Sequence, residues 1–424
     1  MGRPDRSHVQ RYRSVRGLIR SVVSYFRISP DCPTKYRYIV ATDRITGGFL
    51  GGRGRFPGVY CLELAGQDDA FAACEAESAV TGVEVVGAGL ATARSVSDRL
   101  GQLAFTRRAS ELVGTTDPTV ESAATLLRSA SVDRDASVGG GESLDRDASV
   151  GGGESVEHAD PIERRGSVAV RAVDVRGTTG VDTQRAERVL GGVLVDRGLT
   201  VDLDDPDHEL RALFAGPPGS DGEGDVQGDA GICALGWLTH AVERSFGDRK
   251  PSDRPFFQPG SMDPILARAL VNVAGARPGA TLLDPMCGTG GFLLEGALVG
   301  ARVVGVDAQG KMVRGSRRNL CELLPGAPAE VCRGDATRLP LVDDAADAAV
   351  VDVPYGRQSK IEGDSLETLV SGALADLRRV APRAVVVGDR SWAAAAREAD
   401  WTVEAQFERR VHRSLDRHVL VLSR

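Results

Sequence analysis

"ATLLDPMCGTGGFLLEGALVGARVVGVDAQ", residues 280–309, decides the fold. An apolar run reaches Leu283, a turn carrying Gly288, Gly290 and Gly291 follows, and a helix is predicted from near Phe292. "ARVVGVD" then reads as a second strand ending on Asp307. Strand, glycine-rich turn, helix, strand and acid form a nucleotide-binding βαβ unit. The glycines let the backbone approach a ligand closely. An acid ending the second strand can accept hydrogen bonds from both hydroxyls of a ribose. This geometry leaves the nucleotide open, because a dinucleotide dehydrogenase shares it.

Asp284, just before the glycines, narrows the choice. A carboxylate there repels a pyrophosphate and suits the cationic amino group of S-adenosylmethionine. Downstream, "VVDVPYGRQ" (350–358) follows an apolar run, so Asp352-Val353-Pro354-Tyr355 is predicted at the carboxyl end of a strand. Open α/β sheets bind ligands there. An aromatic amino group delocalises its lone pair into the ring and is a poor nucleophile. Two acceptors on its two N–H bonds hold it toward a pyramidal shape and aim the lone pair at a sulfonium methyl. The Asp352 carboxylate would be one acceptor and the Val353 main-chain carbonyl the other. Pro354 biases Val353 to an extended conformation, which suits a β-branched residue. The Tyr355 ring offers a stacking surface for a base, worth about 1–3 kcal/mol.

"LDPMCGTGGFLLE" resembles the D-P-F-C-G-T-G-G motif of class I methyltransferases acting on nucleic acid, with Met286 in place of Phe. "CRGDATRLPL" (332–341) resembles the turn whose acid binds the cofactor's adenine amino group. Together these imply that Asp284, Cys287, Gly288, Thr289, Gly290, Asp307, Asp335 and Ala336 hold S-adenosylmethionine. Asp352-x-Pro354-Tyr355-Gly356-Arg357 resembles the D-P-P-Y-G-R-S loop of the archaeal and eukaryotic tRNA guanine-10 amino-methyltransferases. Val353 departs from that family's proline, and Gln358-Ser359 from its Ser-Ser or Ser-Thr. "DRKPSDRPFFQPGSMDPILARALVN" (248–272) and "VHRSLDRHVLVL" (411–422) look like the family's segment ahead of the cofactor strand and its C-terminal hairpin, so the resemblance covers most of 59–424.

"VRGTTGVDTQRAERVLGGVLVDRGLTVDLDDPDHELRALF" (175–214) resembles the end of a THUMP domain, an RNA-binding module that grips the acceptor end of tRNA. Arg171, Arg176, Arg185, Arg188 and Arg197, with Arg357 in the second half, are candidate RNA contacts. The resemblance implies one or two methyl transfers to the 2-amino group of guanine at tRNA position 10. It also allows a small zinc-binding activator protein as partner. Competing readings are a guanine at tRNA position 6 or in ribosomal RNA, a DNA adenine methyltransferase, and a tRNA-binding factor without catalysis.

The expected architecture is α/β. Residues 59–100 form a ferredoxin-like part. Residues 101–215 form the THUMP module, with a low-complexity insertion at 131–160. A linker spans 216–231. Residues 232–424 form a Rossmann-like class I methyltransferase with a mostly parallel seven-stranded sheet. Within the insertion, "VDRDASVGGGES" (132–143) is repeated as "LDRDASVGGGES", identical at eleven of twelve positions. Gly, Ser and Asp without apolar periodicity cannot bury a core, so this reads as a duplicated surface loop. In the first half, "DDAFAACEAESAVTG" reads as a helix ended by Gly82, and Ala186, Val189, Leu190, Val193 and Leu194 line one helical face that stops at Gly198.

Of 52 basic residues only four are Lys, and the net charge is −7. Residues 1–58 carry twelve basic and three acidic side chains, leaving the remainder with 40 basic and 56 acidic. An acidic, Lys-poor body resembles proteins of extreme halophiles. The basic start does not fit that body, and the native chain is expected to begin near Val59 or Tyr60. Seven scattered Cys without a C-x-x-C pair argue against a zinc ribbon or disulfide scaffold and for a reducing cytoplasm; no metal site is expected. No apolar run reaches the length of a membrane span. A monomer is expected apart from any activator.

Overall fold

A computed structural model describes residues 59–130, 164–220, 231–354, 366–412 and 415–424. The expectations for 1–58, the 132–155 repeat, Tyr355 and Arg357 lie outside the described residues.

The first half supplies β1 (Tyr60–Leu64), α1 (Asp69–Ala76), β2 (Val80–Thr81), β3 (Glu84–Gly87), β4 (Leu90–Ala93), β5 (Ser95–Val96), β6 (Thr106–Thr116), α2 (Val120–Ser129), β7 (Ser167–Asp174), α3 (Thr183–Val195), β8 (Thr200–Val201), β9 (His208–Ala215) and β10 (Ile232–Ala241). Its eight-stranded sheet runs β3-β4-β1-β6-β10-β9-β7-β8. The long β6 joins the two ends of this sheet by pairing with β1 on one side and β10 on the other. Ile232–Ala241 therefore belongs to the first sheet, not to the second half, and 216–231 connects paired strands rather than separating two units. The physical reason is non-local: the apolar residues of β10 are matched by β6, more than a hundred positions earlier.

Asp68 caps α1, accepting the Phe71 amide at 3.0 Å, as its acidic start predicts. The helix stops at Ala76 instead of running to Gly82, because Val80–Thr81 pairs with Ser95–Val96 as a small sheet. In α3, Ala186, Leu190, Val193 and Leu194 are buried on the predicted face, and Gly198 adopts the left-handed conformation just beyond it.

The second half contains α4 (Pro264–Ala274), β11 (Thr281–Asp284), α5 (Gly291–Leu298), β12 (Arg302–Asp307), α6 (Gly310–Leu323), β13 (Ala329–Arg333), β14 (Ala348–Asp352), α7 (Leu366–Val380), β15 (Arg383–Gly388), α8 (Ala393–Glu398), β16 (Thr402–His412) and β17 (Leu415–Ser423). The order β13-β12-β11-β14-β15-β17-β16 is the expected seven-stranded sheet. β11 to β15 run parallel and only the terminal hairpin is antiparallel. Parallel strands are buried on both faces, which is why β14 reads as an unbroken apolar run ending in Asp352. Among the described residues no helix is long and apolar enough to cross a membrane.

Buried polar contacts fasten the halves together. Glu75 of α1 accepts the Ala104 and Phe105 amides and the Asn272 side-chain amide of α4, each at 2.7 Å. The guanidinium of Arg409 in β16 lies 4.4 Å from the Phe71 ring centre and 4.8 Å from that of Phe105. Both arrangements put charge where neighbours compensate it.

Candidate active site

β11, β12 and β14 are adjacent, and each ends in an aspartate: Asp284, Asp307 and Asp352. Asp335 follows the end of the neighbouring β13. The chain leaves β11 toward β12 and β13 on one side and returns through β14 on the other. The carboxyl ends of β11 and β14 thus flank a topological switch point, where such sheets bind ligands.

Asp284 is 2 % exposed and accepts the Met286 amide at 3.1 Å. Burial holds its carboxyl well above the ordinary range, against the pull of that amide, and the negative charges of Asp307 and Asp352 push the same way. Asp307 accepts the Gly288 amide at 2.9 Å on one oxygen and the Gln309 amide at 2.8 Å on the other. These fix the carboxylate while leaving acceptor capacity; burial raises its pKa and both amides oppose the rise. A buried cluster of carboxylates favours a cationic ligand.

The turn is built for close approach. Gly288 and Gly290 have φ of 51° and 81°, and a Cβ on Gly290 would lie 2.4 Å from Ser316 Oγ. α5 begins at Gly291, one residue earlier than predicted. Thr289 is a tie rather than a free donor: its hydroxyl lies 3.1 Å from that of Ser261, and its carbonyl accepts from Asn319 Nδ2 at 2.9 Å. Cys287 is buried, with its amide on Val306 and its carbonyl accepting from Gly290. Burial and the nearby Asp284 and Asp307 charges push its thiol pKa up, so its contribution is to the shape of the turn. Asp335 is exposed and uses Oδ1 to accept from the Thr337 amide (2.9 Å) and hydroxyl (2.8 Å), while Ala336 is buried beside it.

Val353 is 2 % exposed, and its amide donates to Val387 at 2.9 Å, extending the β14–β15 pairing one residue past Asp352. A proline here could not make that bond. Valine therefore replaces the stiffness of a proline ring with a ladder hydrogen bond. Pro354 is half-buried at the edge of the described loop.

The arginines expected to meet RNA behave differently. Arg176 binds Asp69 through both terminal nitrogens, one at 3.1 Å, and is a structural residue. Arg185 is paired with Glu121, Arg171 donates to the Leu203 carbonyl at 2.6 Å, and Arg197 donates to the Leu127 and Arg128 carbonyls. Arg188 is exposed and makes no ion pair or side-chain hydrogen bond among the described residues. Of the five, Arg188 alone presents a guanidinium that is unengaged among the described residues.

The segment 249–262 contains residues not singled out from the sequence, although it was legible there as R-P-F-F-Q-P-G-S-M. Buried Asn319 accepts the Phe256 amide at 2.7 Å and donates to the Phe256 carbonyl at 2.8 Å, which lays this segment against α6 and the glycine turn. Arg249 and Arg268 both bind the fully buried Glu295 of α5, and Arg254 lies buried beside them.

The chain is similar to known proteins. The UPF0020 family, described as RMKL-like, methyltransferase domain, matches residues 251–418. A tRNA (guanine(10)-N2)-dimethyltransferase of Methanothermobacter thermautotrophicus is 35% identical over 269 residues, covering 61% of this chain and 74% of that protein. Proteins of the same name from Methanocaldococcus jannaschii and Pyrococcus abyssi are 30% and 29% identical, with 61% of this chain covered in each case and 71% and 74% of theirs. The chain belongs to the tRNA (guanine(10)-N2)-dimethyltransferase family.

Proposed function

We propose that the protein methylates the exocyclic 2-amino group of guanine at position 10 of tRNA, twice in succession, using S-adenosylmethionine. The observation that carries this reading is the row of aspartates on adjacent strand ends, with Asp352-Val353-Pro354 at the switch point, in a chain whose relatives bear that name.

The residues present fit the cofactor. When bound, it supplies a methyl group on a positively charged sulfur. Buried Asp284 suits the ammonium group, and Asp307 retains acceptor capacity for ribose hydroxyls. At Gly288 a Cβ would meet nothing nearer than the Met286 carbonyl at 4.0 Å, which leaves room for a ligand beside the backbone, whereas Gly290 admits Ser316 of α6.

Guanine 10 lies in a paired stem and must be extruded to reach Asp352. The Asp352 carboxylate accepts one amino N–H and the Val353 carbonyl the other, which holds the lone pair toward the methyl donor. Each transfer releases one amino proton, to Asp352 or to water, so after the first a single N–H remains for one acceptor and the pocket must accommodate the first methyl. The eight-stranded sheet, with Arg188 exposed on α3, is assigned to the acceptor end of the tRNA. Any small zinc-binding activator would add to this arrangement without replacing a residue of it; co-purification from native extract tests for one.

The test is nucleoside mass spectrometry of tRNA incubated with purified protein. N2,N2-dimethylguanosine at position 10 is expected, and lost with Asp352→Ala while tRNA binding persists. Methylation confined to another position would remove the assignment.

A further inference from the structure

Two tryptophans share one core cluster with Val353, and their indoles are engaged differently. Trp401 donates its ring N–H to the Leu374 carbonyl at 2.9 Å. Trp392 is 6 % exposed, and its indole nitrogen has no hydrogen-bond partner among the described residues. An unpaired buried donor costs stability, and a phenylalanine would fill much of the same space without that cost. What the Trp392 indole supplies is rigid bulk at one location.

That location adjoins the Val353 turn. Gly388 ends β15, one residue past Val387, which pairs with Asp352 and accepts the Val353 amide. A Cβ on Gly388 would lie 2.7 Å from Trp392 Nε1, 2.9 Å from its Cδ1 and 3.1 Å from Val353 Cγ2. The indole edge and the Val353 side chain therefore meet over a residue that must carry no side chain. The indole is itself held from two directions. Its residue's carbonyl accepts the Ala396 amide of α8 at 2.9 Å. The Arg390 guanidinium lies 4.6 Å from the ring centre while binding Glu367 of α7 at 2.9 Å, a favourable stack on an indole face.

We propose that Trp392 is a positioning residue for methyl transfer: its indole, admitted by Gly388, clamps the Val353 side chain so that the Val353 carbonyl stays aimed at the target amino group. This rests on the reading that this carbonyl accepts one amino N–H. The hydrogen bond to Val387 fixes the peptide before Val353, whereas the direction of the carbonyl depends on the rotation after its Cα. Side-chain rotamer and backbone rotation are coupled, most tightly for a β-branched residue, so packing the side chain restrains the carbonyl. A proline at 353 would restrain the backbone through its own ring. Trp392 supplies from outside the restraint that such a ring would supply from within.

The test is the single-turnover rate of N2-methylguanosine formation in a tRNA transcript at saturating S-adenosylmethionine. Trp392→Leu and Trp392→Phe are compared, each alone and combined with Val353→Pro. Trp392→Leu should lower the rate by roughly ten- to a hundredfold, as a small displacement at a reacting centre does, with the half-saturating tRNA concentration and S-adenosylhomocysteine affinity unchanged. Trp392→Phe keeps a rigid ring and should stay within about threefold of wild type. Combined with Val353→Pro, Trp392→Leu should cost less than about threefold, because the two restraints are coupled. Thermal melting checks folding. Trp392→Met, which keeps volume but not rigidity, replaces Trp392→Leu should that variant not fold. A full rate in the leucine or methionine variant overturns the proposal. So does an equal loss with and without Val353→Pro, which marks a general packing effect. A loss in Trp392→Phe as large as in Trp392→Leu overturns it too, assigning the role to the indole N–H. Weaker tRNA binding with an unchanged rate would likewise overturn it, in favour of an RNA contact. A wild type that leaves the guanine unmethylated would overturn the site reading as well.

Discussion

The two sheets carry their candidate functional residues in different ways. In the seven-stranded sheet, register pairs Asp284 with Gly305 and Leu283 with Ala349, so Asp307 and Asp352 stand two residues beyond Asp284 on the flanking strands, and spacing along the chain becomes a defined place at the sheet's carboxyl edge. In the eight-stranded sheet the candidate arginines come from a strand, a 3₁₀ turn and a helix, and most are held by protein partners. A residue type at a register-defined place is strong evidence. A residue type on a surface is weak evidence, since arginine satisfies carbonyls and carboxylates of its own chain as readily as phosphates.

The strongest way to break this contrast is Asp352→Ala, expected to lower the methylation rate by about 10²–10³ with unchanged tRNA affinity, from loss of one preorganised polar contact to the reacting group. Rates near wild type would remove the strand-end row from the chemistry. Next, Arg176→Ala should destabilise the fold by about 3 kcal/mol, measured by chemical denaturation, because it strands Asp69 half of a largely buried pair. Its folded form should bind tRNA normally.

The third test is pH. The Asp284 carboxyl, held above its ordinary range, keeps its proton where other carboxylates have lost theirs. Its ionised form favours the ammonium group. Affinity for S-adenosylhomocysteine should therefore rise with pH through that raised range, by at most about tenfold per unit, with proton release visible in buffers of different ionisation enthalpy. The ligand-free fold should lose stability over the same window, since raised-pKa stabilisation disappears as the group ionises. A pH-independent affinity would separate Asp284 from the ammonium.

Arg188→Ala should leave stability within about 0.5 kcal/mol and weaken tRNA binding a few-fold, with a shallower salt dependence. Equal effects from Arg188 and Arg176 would erase the distinction between an exposed and a protein-bound arginine. The smallest change is expected from Val353→Pro: it exchanges the Val387 hydrogen bond for ring rigidity, so activity should stay within about threefold.

Much of the second sheet was legible because its signals are local. Apolar runs, turn glycines and terminal acids lie within a few residues of one another, and periodicity converts them directly into strands and helices. Only boundaries moved: α5 starts at Gly291 and β14 includes Asp352. The first sheet hid what depends on distant partners. β10 looked like the start of a new unit because its partner β6 lies far back in the chain. Arg176 looked available because Asp69, its partner, is 107 positions away. At Val353 the sequence showed a missing proline, while the compensating hydrogen bond to Val387 belongs to strand pairing. Trp392 was similarly obscured: Val353, which its indole meets over Gly388, lies just past β14, and the contact exists only once β14 and β15 are paired.

The central claim is that the strand-end aspartates and the Val353 turn form a working guanine methylation site. Nucleoside mass spectrometry of position 10 in tRNA treated with wild type and with Asp352→Ala tests it most directly. N2,N2-dimethylguanosine with wild type, and unmodified guanosine with the variant, is the predicted result. Unmodified guanosine with both, under conditions where wild type binds tRNA and S-adenosylhomocysteine, would contradict it.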